Sequence, residues 1–498
     1  MAARRRTSRL PLASLVTVLA LAAALGGCEP PEELEEELAP EAEVEAVDPA
    51  TLEPVEGAAE GVYAFTGVHV IPLDRDGVLE DHTVVVQDGR IVEMGPADQV
   101  EAPEDAQVVE GNGRYLIPGL AEMHAHVSPD PDTPDEEHAD ILFLFLSNGI
   151  TTIRGMLGAP HQLELRDAIV DGEVLGPSFV VGAPSINGNT APTPEDAERL
   201  VREYAEDGYD FLKIHPGVER AVWDHMVEVA QEVGITFAGH VPSAVGIRHA
   251  LETGISTVDH LDGYLDGTRA DDLPEEADPL ERFLATDPEK VHELAELTTE
   301  TGAWVVPTMY LWENFFDPVD VDSVLALPEM QYVPTEMREG WAQMNRNRWE
   351  NQREQYPDLD WEAAGRAHAD ARVQILEAIH AAGADILLGT DAPQMFNVPG
   401  FALHREVPIM ARAGMSPHEI LASGSVEVAR YVEEELGLPG DFGTVSAGQR
   451  ADLVLLGNNP LEDLEHLRDV EGVMVRGLWL SGEEIRERLD ALADDFAA

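Results

Sequence analysis

The chain has 498 residues and carries 96 acidic side chains against 31 lysines and arginines, so its formal net charge at pH 7 is −65. This charge excludes proteins that bind nucleic acids or anionic membrane surfaces, because both of these partners are polyanions. A single cysteine excludes a disulfide framework and a cysteine-based zinc site, whereas 44% hydrophobic residues predict a folded protein of roughly two to four domains.

The N-terminal segment has the layout of an export signal. Four arginines, the last of them Arg9, precede an apolar run from residue 10 to residue 25, and Cys28 follows after two glycines. This order predicts a lipoprotein signal peptide over residues 1–27, and the stretch before Cys28 resembles a lipobox. We therefore expect export across the cytoplasmic membrane and anchoring at the cell envelope, on its periplasmic or outer face, through a lipid on Cys28 alone. A plain signal peptide with an incidental cysteine is the alternative.

Residues 28–60 are predicted to form an acidic, disordered tether. Between residues 29 and 60 the sequence contains thirteen acidic side chains and no basic one. Self-repulsion and the lack of buriable surface favour an extended chain over a folded one.

Two β-rich segments flank the central part of the chain. Residues 61–118 contain short apolar runs around Asp88-Gly89, a dipeptide typical of a hairpin turn. The second segment, residues 441–481, is strand-like at 443–448, 451–456 and 472–479. We predict that both segments pair into one composite β-sandwich, and that residues 482–498 form a C-terminal helix.

Between residues 119 and 440, short apolar runs alternate with amphipathic stretches. Eight runs are predicted to be strands: 120–127, 150–156, 179–186, 211–215, 235–241, 257–263, 304–310 and 386–392. This alternation predicts an α/β fold, specifically a (β/α)8 TIM barrel. The main alternative is an open, doubly wound sheet, but the sequence has no Gly-x-Gly-x-x-Gly turn that would begin such a fold. An insertion, 311–383, separates the last two strands and is expected to be either a lid or a structural pad.

Side chains that can bind a metal lie at the ends of the predicted strands. His124 and His126 share one face of the first strand because they are two residues apart. The others are Lys213, His240, His260 and Asp391, at the ends of strands four, five, six and eight. In a barrel these ends meet at the face where the chemistry occurs. Imidazole and carboxylate groups are ligands of zinc and similar ions, so the pattern predicts a divalent metal centre.

Lys213 stands out because the chain has two lysines and 29 arginines. A lysine buried among apolar neighbours should lose its charge, since desolvation lowers the pKa of an amine. A neutral amine can react with carbon dioxide to form a carbamate, a carboxylate-like bridging ligand, whereas arginine stays protonated. The alternative is a lysine that extends to solvent at the strand end.

This ordered set of residues resembles the amidohydrolase superfamily, in its imidazolonepropionase-like and Xaa-Pro dipeptidase-like branch. The similarity extends from about residue 61 to residue 481. It rests on Leu116-Ile117-Pro118-Gly119-Leu120, Met123-His124-Ala125-His126, Asp210-Phe211-Leu212-Lys213-Ile214, Gly239-His240, Asp259-His260, Gly389-Thr390-Asp391-Ala392-Pro393 and Gly448-Gln449-Arg450-Ala451-Asp452-Leu453.

The resemblance implies two divalent metal ions, with zinc as the expected metal. One ion would be held by His124, His126 and Asp391, and the other by His240 and His260. Carboxylated Lys213 would bridge the two ions. Members that open imidazolone rings use one metal and lack this lysine, so Lys213 favours the binuclear, peptide-cleaving members.

The predicted reaction is hydrolysis of a carbon–nitrogen amide bond in a small dipeptide or N-acyl amino acid. Asp391 would take a proton from water and deliver it to the leaving amine, and His260 would help polarise the carbonyl. A cyclic-amide, ester or lactone hydrolase is the alternative within the enzymes. A non-catalytic surface lipoprotein that binds metal or a small ligand is the alternative outside them.

Four further side chains are candidate substrate contacts. His215 shares the side of its strand with Lys213, and Tyr264 and His404 follow strands six and eight. Arg154 ends strand two, where it would bind a substrate carboxylate through two parallel hydrogen bonds or pair with a structural acid.

Overall fold

The computed structural model describes residues 44–274, 276–316 and 319–497. The predicted signal peptide, Cys28 and the first part of the predicted tether lie outside these residues. None of the helices in the described part of the chain is both long and apolar enough to cross a lipid bilayer.

The first arm of the chain is built from β-strands. They are β1 (Glu45–Ala46), β2 (Val62–Val70), β3 (Leu79–Gln87), β4 (Arg90–Pro96), β5 (Gln107–Glu110) and β6 (Tyr115–Pro118). As the hairpin signal at Asp88-Gly89 predicts, β3 and β4 pair antiparallel, with Gln87 opposite Arg90. A 3-10 helix lies at Pro49–Thr51.

The central part alternates strands and helices. Its strands are β7 (Leu120–Ala125), β8 (Ile150–Gly155), β9 (Ser178–Val181), β10 (Phe211–Ile214), β11 (Thr236–Gly239), β12 (Thr257–Asp259) and β13 (Trp304–Val306). Its helices are α1 (Asp135–Ser147), α2 (Pro160–Val170), α3 (Pro194–Asp207), α4 (Arg220–Val233), α5 (Ile247–Glu252), α6 (Tyr264–Gly267), α7 (Pro279–Leu284), α8 (Pro288–Thr301), α9 (Met309–Phe316), α10 (Val321–Leu325), α11 (Thr335–Gln355), α12 (Trp361–Ala381), α13 (Leu403–Arg412), α14 (Pro417–Ser423) and α15 (Val426–Leu436). A 3-10 helix lies at Pro328–Tyr332.

The last part returns to β-structure and ends in a helix. Its elements are β14 (Leu453–Leu456), a 3-10 helix at Leu464–Arg468, β15 (Val470–Val475), β16 (Leu478–Ser481) and α16 (Gly482–Ala497). The predicted strand at 443–448 is absent, because these residues form turns and bends. They contact β4 through a hydrogen bond from the Gly448 N–H to the Ile91 carbonyl (2.7 Å).

Local signals explain where the helices begin and end. The Thr193 side chain accepts a hydrogen bond from the Asp196 N–H (3.2 Å) at the start of α3. Gly208 ends that helix in the left-handed region at φ +86°, which glycine adopts without steric cost. These caps set the helix bounds independently of tertiary packing.

Strands of both flanking segments share one nine-stranded sheet. Its order is β1-β4-β3-β2-β6-β14-β15-β16, with β5 also paired to β2. The junction is the antiparallel pairing of β6 with β14, where Pro118 lies opposite Leu453. The prediction that the two segments combine into a small β-structure is therefore confirmed.

The described part of the predicted tether is not disordered. Glu45 and Ala46 pair antiparallel with β4. The Arg90 side chain donates to the Glu53 carbonyl (2.8 Å), which fixes the chain after β1. The prediction of a disordered tether therefore does not hold for residues 44–60, because backbone pairing compensates for their acidic composition.

The parallel strands of the central part form two sheets, as expected for an α/β fold. One contains β7, β8 and β9, and the other contains β10, β11, β12 and β13. Parallel bridges between Gly182 and Phe211 and between Ile186 and Ile214 connect the two.

The eighth predicted strand is present only as two isolated bridges. Ile386 bridges Val305 next to β13, and Ala392 bridges Ala125 next to β7, both in parallel. Between them the chain departs from extended geometry, since Asp391 has a φ of +66°. Residues 386–392 therefore lie between β13 and β7 without forming a regular strand.

Arg154 connects three strands inside the central part. The side chain is fully buried, and its Nε donates to the Met123 carbonyl (2.8 Å). Its terminal nitrogens donate to the Tyr431 hydroxyl (3.0 Å) and to Asp259 Oδ1 (3.3 Å). The predicted contact with a substrate carboxylate is therefore replaced by the alternative, a pair with a structural acid.

We predict that Arg154→Met destabilises the fold rather than weakening substrate binding. Removing one partner of a buried ion pair leaves the other charge uncompensated, which costs about 3–5 kcal/mol of unfolding free energy. Urea denaturation measures this change. Arg199→Met is the matched control, because Arg199 forms an exposed pair with Glu203 that is worth at most about 1 kcal/mol. An unchanged stability with a raised KM for Arg154→Met would contradict this role.

Glu406, on α13, anchors the start of α9. Its two carboxylate oxygens accept the backbone N–H groups of Met309 (2.7 Å) and Tyr310 (2.8 Å). Because the side chain is fully buried, desolvation raises the pKa of Glu406 to about 7. This contact fixes α9, and with it Trp312, whose ring centroid lies 6.0 Å from that of His260.

We predict that this carboxyl group makes the stability depend on pH. Its pKa rises from 4.5 to about 7 on folding, so the stability that the protonated group contributes at low pH is lost as pH rises through 7. Relative to Glu406→Gln, the wild-type unfolding free energy should fall by about 3 kcal/mol between pH 4.5 and pH 8. Urea denaturation across this range tests it, with the exposed Glu300→Gln as control. Parallel curves for wild type and Glu406→Gln would refute it.

Candidate active site

The predicted metal ligands meet around Asp391. The His126 Nε2 atom lies 2.7 Å from Asp391 Oδ1, and the His124 Nε2 atom lies 3.7 Å from the same oxygen. His260 Nδ1 lies 3.7 Å from Asp391 Oδ2. Histidines at the end of β7 and directly after β12 thus converge on the Asp391 carboxylate.

Three of these residues form a compact, buried donor set. One ligand atom each from His124, His260 and Asp391 lies within 4.8 Å of the other two. Burial lowers the pKa of both imidazoles well below the usual value, so they are neutral at pH 7 and keep a free lone pair. Burial acts to raise the pKa of Asp391, but His124 and His126 hold it well below its usual range. Neutral imidazoles and an ionised carboxylate are the donors that a divalent metal ion requires.

His240 lies next to this set and is oriented by a carboxylate. Its ring centroid is 4.6 Å from that of His260, and its Nδ1 atom lies 2.6 Å from Asp262 Oδ2. A carboxylate on one ring nitrogen fixes the tautomer and leaves the other nitrogen for a ligand. His215 is also close, with its ring centroid 5.0 Å from that of His240.

Lys213 lies in the interior at the end of β10. Its Nζ atom has no hydrogen-bond partner among the described residues, and the Asp259 carboxylate is 3.9 Å away. Burial lowers the pKa of this amine to about 8, so part of it is neutral close to pH 7. The other lysine, Lys290, instead donates to the Arg269 carbonyl (2.8 Å) in a partly exposed position. Solvent exposure of Lys213, the alternative, is thus ruled out.

A glycine makes room for this amine. Gly239, directly before His240, has a φ of +119°, and a Cβ there would lie 3.2 Å from Lys213 Nζ and 2.7 Å from the Ile214 carbonyl oxygen. Any side chain at this position would therefore displace Lys213 or the end of β10. The glycine also allows the turn that directs His240 towards the cluster.

Two of the clustered residues have an unusual backbone conformation. His260 and Asp391 have φ values of +64° and +66°, a region that residues other than glycine rarely adopt. Their backbone N–H groups are bonded to the carbonyls of Val306 (2.8 Å) and His124 (2.9 Å). Surrounding hydrogen bonds thus impose the conformation, as is common where side chains must be aimed at a functional centre.

Sequence reasoning missed two carboxylates behind the ligands. Asp259 Oδ2 lies 2.9 Å from His124 Nδ1. Glu122 Oε1 accepts the backbone N–H groups of His124 (2.9 Å) and Thr390 (2.7 Å), and burial raises the pKa of Glu122 to about 8. Their sequence positions could have identified both, because Glu122 precedes the predicted ligand His124 by two residues and Asp259 is adjacent to the predicted ligand His260.

Two predicted substrate contacts lie away from the cluster. The Tyr264 hydroxyl is buried 2.5 Å from Thr298 Oγ1, between α6 and α8. His404 Nε2 lies 3.0 Å from Asn148 Oδ1, between α13 and the end of α1. Both side chains are thus hydrogen-bonded between helices. A role in binding substrate stays a prediction for Tyr264, His404 and His215.

A cavity of about 200 Å³ lies beside His260. Its wall includes Trp312 and Phe316 from α9 and Arg372 from α12. These three residues belong to the insertion between the last two predicted strands. The insertion thus contributes directly to the surroundings of the candidate site.

Comparisons with known proteins agree with this geometry. The model of the amidohydrolase family matches residues 115–480. Adenine deaminase of Ruegeria pomeroyi is 29% identical over 179 residues, which are 33% of this chain and 29% of that protein. The chain therefore aligns with less than a third of this relative's length.

Two solved structures have the same fold. A putative prolidase from Bifidobacterium longum has a TM-score of 0.63 and 22% identity, covering 89% of this chain and 100% of that one. A Xaa-Pro dipeptidase with methionine bound in its active site has a TM-score of 0.58 and 19% identity, covering 84% and 100%. The chain belongs to the amidohydrolase family, and its site contains a buried His–His–Asp cluster whose donor atoms could hold a metal ion.

Proposed function

We propose that this protein hydrolyses the amide bond of a dipeptide or an N-acyl amino acid. The observation that carries the proposal is the buried Lys213 amine, which has no hydrogen-bond partner among the described residues and lies 3.9 Å from Asp259, the carboxylate next to His124. This amine favours a bridged, two-metal centre over the single-metal centre of ring-opening relatives. The fold that the chain shares with a prolidase and a Xaa-Pro dipeptidase supports the same substrate class.

We infer that the central strands close into a (β/α)8 barrel and that the nine-stranded sheet folds into a sandwich. Support for the barrel comes from the bridges that connect β9 to β10 and place residues 386–392 between β13 and β7. Support for the sandwich comes from β2, which pairs with β3, β5 and β6 and so changes partners along its length.

The proposed metal centre uses the whole predicted ligand set. His124, His126 and Asp391 would hold one divalent ion, and His240 and His260 the other. We propose that the neutral Lys213 amine adds to carbon dioxide: the Nζ–C bond forms, one C=O π bond breaks with its electrons moving to oxygen, and one proton leaves the nitrogen. The resulting carbamate would offer carboxylate-like oxygens as ligands for the divalent ions. Zinc is the metal that best matches imidazole and carboxylate donors at tetrahedral sites.

The mechanism assigns proton transfer to Asp391. A divalent ion, when bound, lowers the pKa of water to about 7 and polarises a carbonyl oxygen. Asp391, ionised and within 3.7 Å of three imidazoles, accepts the proton of the attacking water. It then delivers this proton to the leaving nitrogen, which completes the cleavage into a carboxylate and an amine. Neutral His260 is oriented by Thr308 Oγ1, 2.7 Å from its Nδ1, which leaves its other ring nitrogen for the second ion, and that ion would polarise the carbonyl.

We also propose that the protein is exported and anchored at the cell envelope through a lipid on Cys28. The arginine-rich start, the apolar run and the position of the one cysteine support this location. An envelope hydrolase of this class would act on small peptides or acylated amino acids outside the cytoplasm.

We predict that Asp391→Asn lowers kcat about 100- to 10,000-fold, because the amide cannot accept the proton from water. Turnover of a dipeptide and an N-acyl amino acid measures the loss, and elemental analysis checks that metal remains bound. The control is Asp207→Asn on the exposed end of α3, which should keep wild-type turnover. Near-normal turnover of Asp391→Asn would disprove its role as general base.

We predict that the wild-type protein, prepared with zinc and bicarbonate, binds about two ions per chain. Lys213→Met should bind at most about one, because the bridging group is lost, whereas Lys290→Met should still bind about two. Elemental analysis gives these stoichiometries. About one ion in the wild type would refute the bridge and favour a cyclic-amide substrate, and no bound metal would refute the hydrolytic mechanism.

A further inference from the structure

The cavity beside His260 is lined by a buried cation, Arg372, whose side-chain hydrogen bonds go to neutral acceptors. The Arg372 guanidinium donates to the carbonyls of His260 (2.7 Å) and Pro307 (2.9 Å), which are neutral acceptors. Its Nε atom is buried and has no hydrogen-bond partner among the described residues. Burial lowers the pKa of this guanidinium to about 10 although the carboxylates of Asp262, Glu406 and Glu313 act to raise it, so they do not fully compensate its desolvation.

A second arginine of the cavity wall also has one unbonded donor. The Nε atom of Arg269 is buried and has no partner among the described residues. Its terminal nitrogen is paired with Asp266, and the other acid in the wall, Asp262, is bound to His240. The acids of the cavity are therefore occupied, whereas both arginines keep a donor available.

Two arginines with an unbonded Nε atom in one cavity wall are unusual in a chain of net charge −65. Arg282 is a third arginine of this wall, and its Nε atom donates to the Ala277 carbonyl (2.8 Å). A local positive field in an acidic protein would attract an anion to this position and not to the surface around it.

Part of the cavity wall is aromatic. The Phe316 ring centroid lies 4.2 Å from that of His368, 5.6 Å from that of Phe283 and 5.8 Å from that of Trp312. Phe316 and Trp312 are held in place through α9, which Glu406 anchors. These rings form an apolar surface next to the arginines, so the cavity suits a ligand with one anionic and one apolar group.

We propose that this cavity binds the leaving amino acid of the substrate, with its free carboxylate on Arg372 and Arg269 and its apolar side chain on the aromatic wall. The inference rests on the proposed amide hydrolysis and specifies its substrates as N-acyl amino acids or dipeptides with an apolar C-terminal residue. At about 200 Å³ the cavity has space for one residue.

The position of the cavity fits this assignment. His260 belongs both to the ligand cluster and to the cavity wall. Consecutive residues of a peptide are about 3.8 Å apart, so a carbonyl held at the cluster places the next carboxylate inside the cavity. The acyl part of the substrate would then extend to the other side of the cluster, where His126 is partly exposed.

The test compares N-acetyl-L-phenylalanine with its C-terminal amide as substrates of the zinc-loaded enzyme. We expect kcat/KM to be at least about tenfold higher for the free carboxylate, because a charged hydrogen bond to a buried guanidinium is lost in the amide. Arg269→Gln should reduce this preference several-fold by raising KM for the carboxylate alone, and an unchanged preference would contradict the role of Arg269. Arg199→Gln, on exposed α3, is the control and should keep the wild-type preference.

A binding measurement without metal supplies an independent readout. Titration of the metal-free protein with N-acetyl-L-phenylalanine should change its tryptophan fluorescence, and Trp312→Phe should remove the change. Because Arg372 also holds the ends of β12 and β13 together, Arg269→Gln is the variant used here, with at least about tenfold weaker binding expected.

The outcomes separate the two proposals. Equal hydrolysis and equal binding of the carboxylate and the amide would overturn the cavity assignment while leaving amide hydrolysis intact. Binding that prefers the carboxylate and depends on Arg269, without hydrolysis of either compound, would support the cavity assignment and overturn the proposed reaction.

Discussion

The candidate site depends on one buried carboxylate, Asp259. It lies 2.9 Å from His124, 3.3 Å from Arg154 and 3.9 Å from Lys213, so it contacts side chains from three other strands. Without Asp259, two cations and an imidazole would face each other in an interior that no water screens. The carboxylate therefore makes it possible for Lys213 and Arg154 to be buried, and their burial gives Lys213 its altered chemistry and Arg154 its structural role.

The positions of the ligands could be predicted from the sequence because strand ends carry a simple signal. A buried strand places residues two apart on one face, and parallel strands bring their carboxyl ends to one edge, so His124, His126, Lys213 and His260 were located without a structure. The roles of Tyr264, His404 and Arg154 could not be predicted in this way. Their direction depends on helix packing and on partners distant in sequence, such as Thr298, Asn148 and Asp259.

The insertion between the last two predicted strands also depends on contacts between residues distant in sequence. Its length indicates a role near the site, but does not show which of its side chains lie next to the predicted ligands. Trp312 lies next to His260 because Glu406, about 90 residues further along the chain, fixes the start of α9. Residues 386–392 were expected to be extended from their apolar pattern, yet the left-handed backbone at Asp391 interrupts the strand, since the side chain must turn towards three histidines.

The pairing of β6 with β14 has a consequence for how the chain reaches its native state. Residues 115–118 leave the ribosome long before their partners at 453–456, and the whole central part is made in between. Until then β6 has an open edge on the side that β14 later covers, and closing a loop of this length is entropically unfavourable. The small sheet can therefore be completed only after the central strands have been synthesised. A nascent chain stalled before residue 453 would expose the unpaired edge of β6, which could pair with strands of other chains.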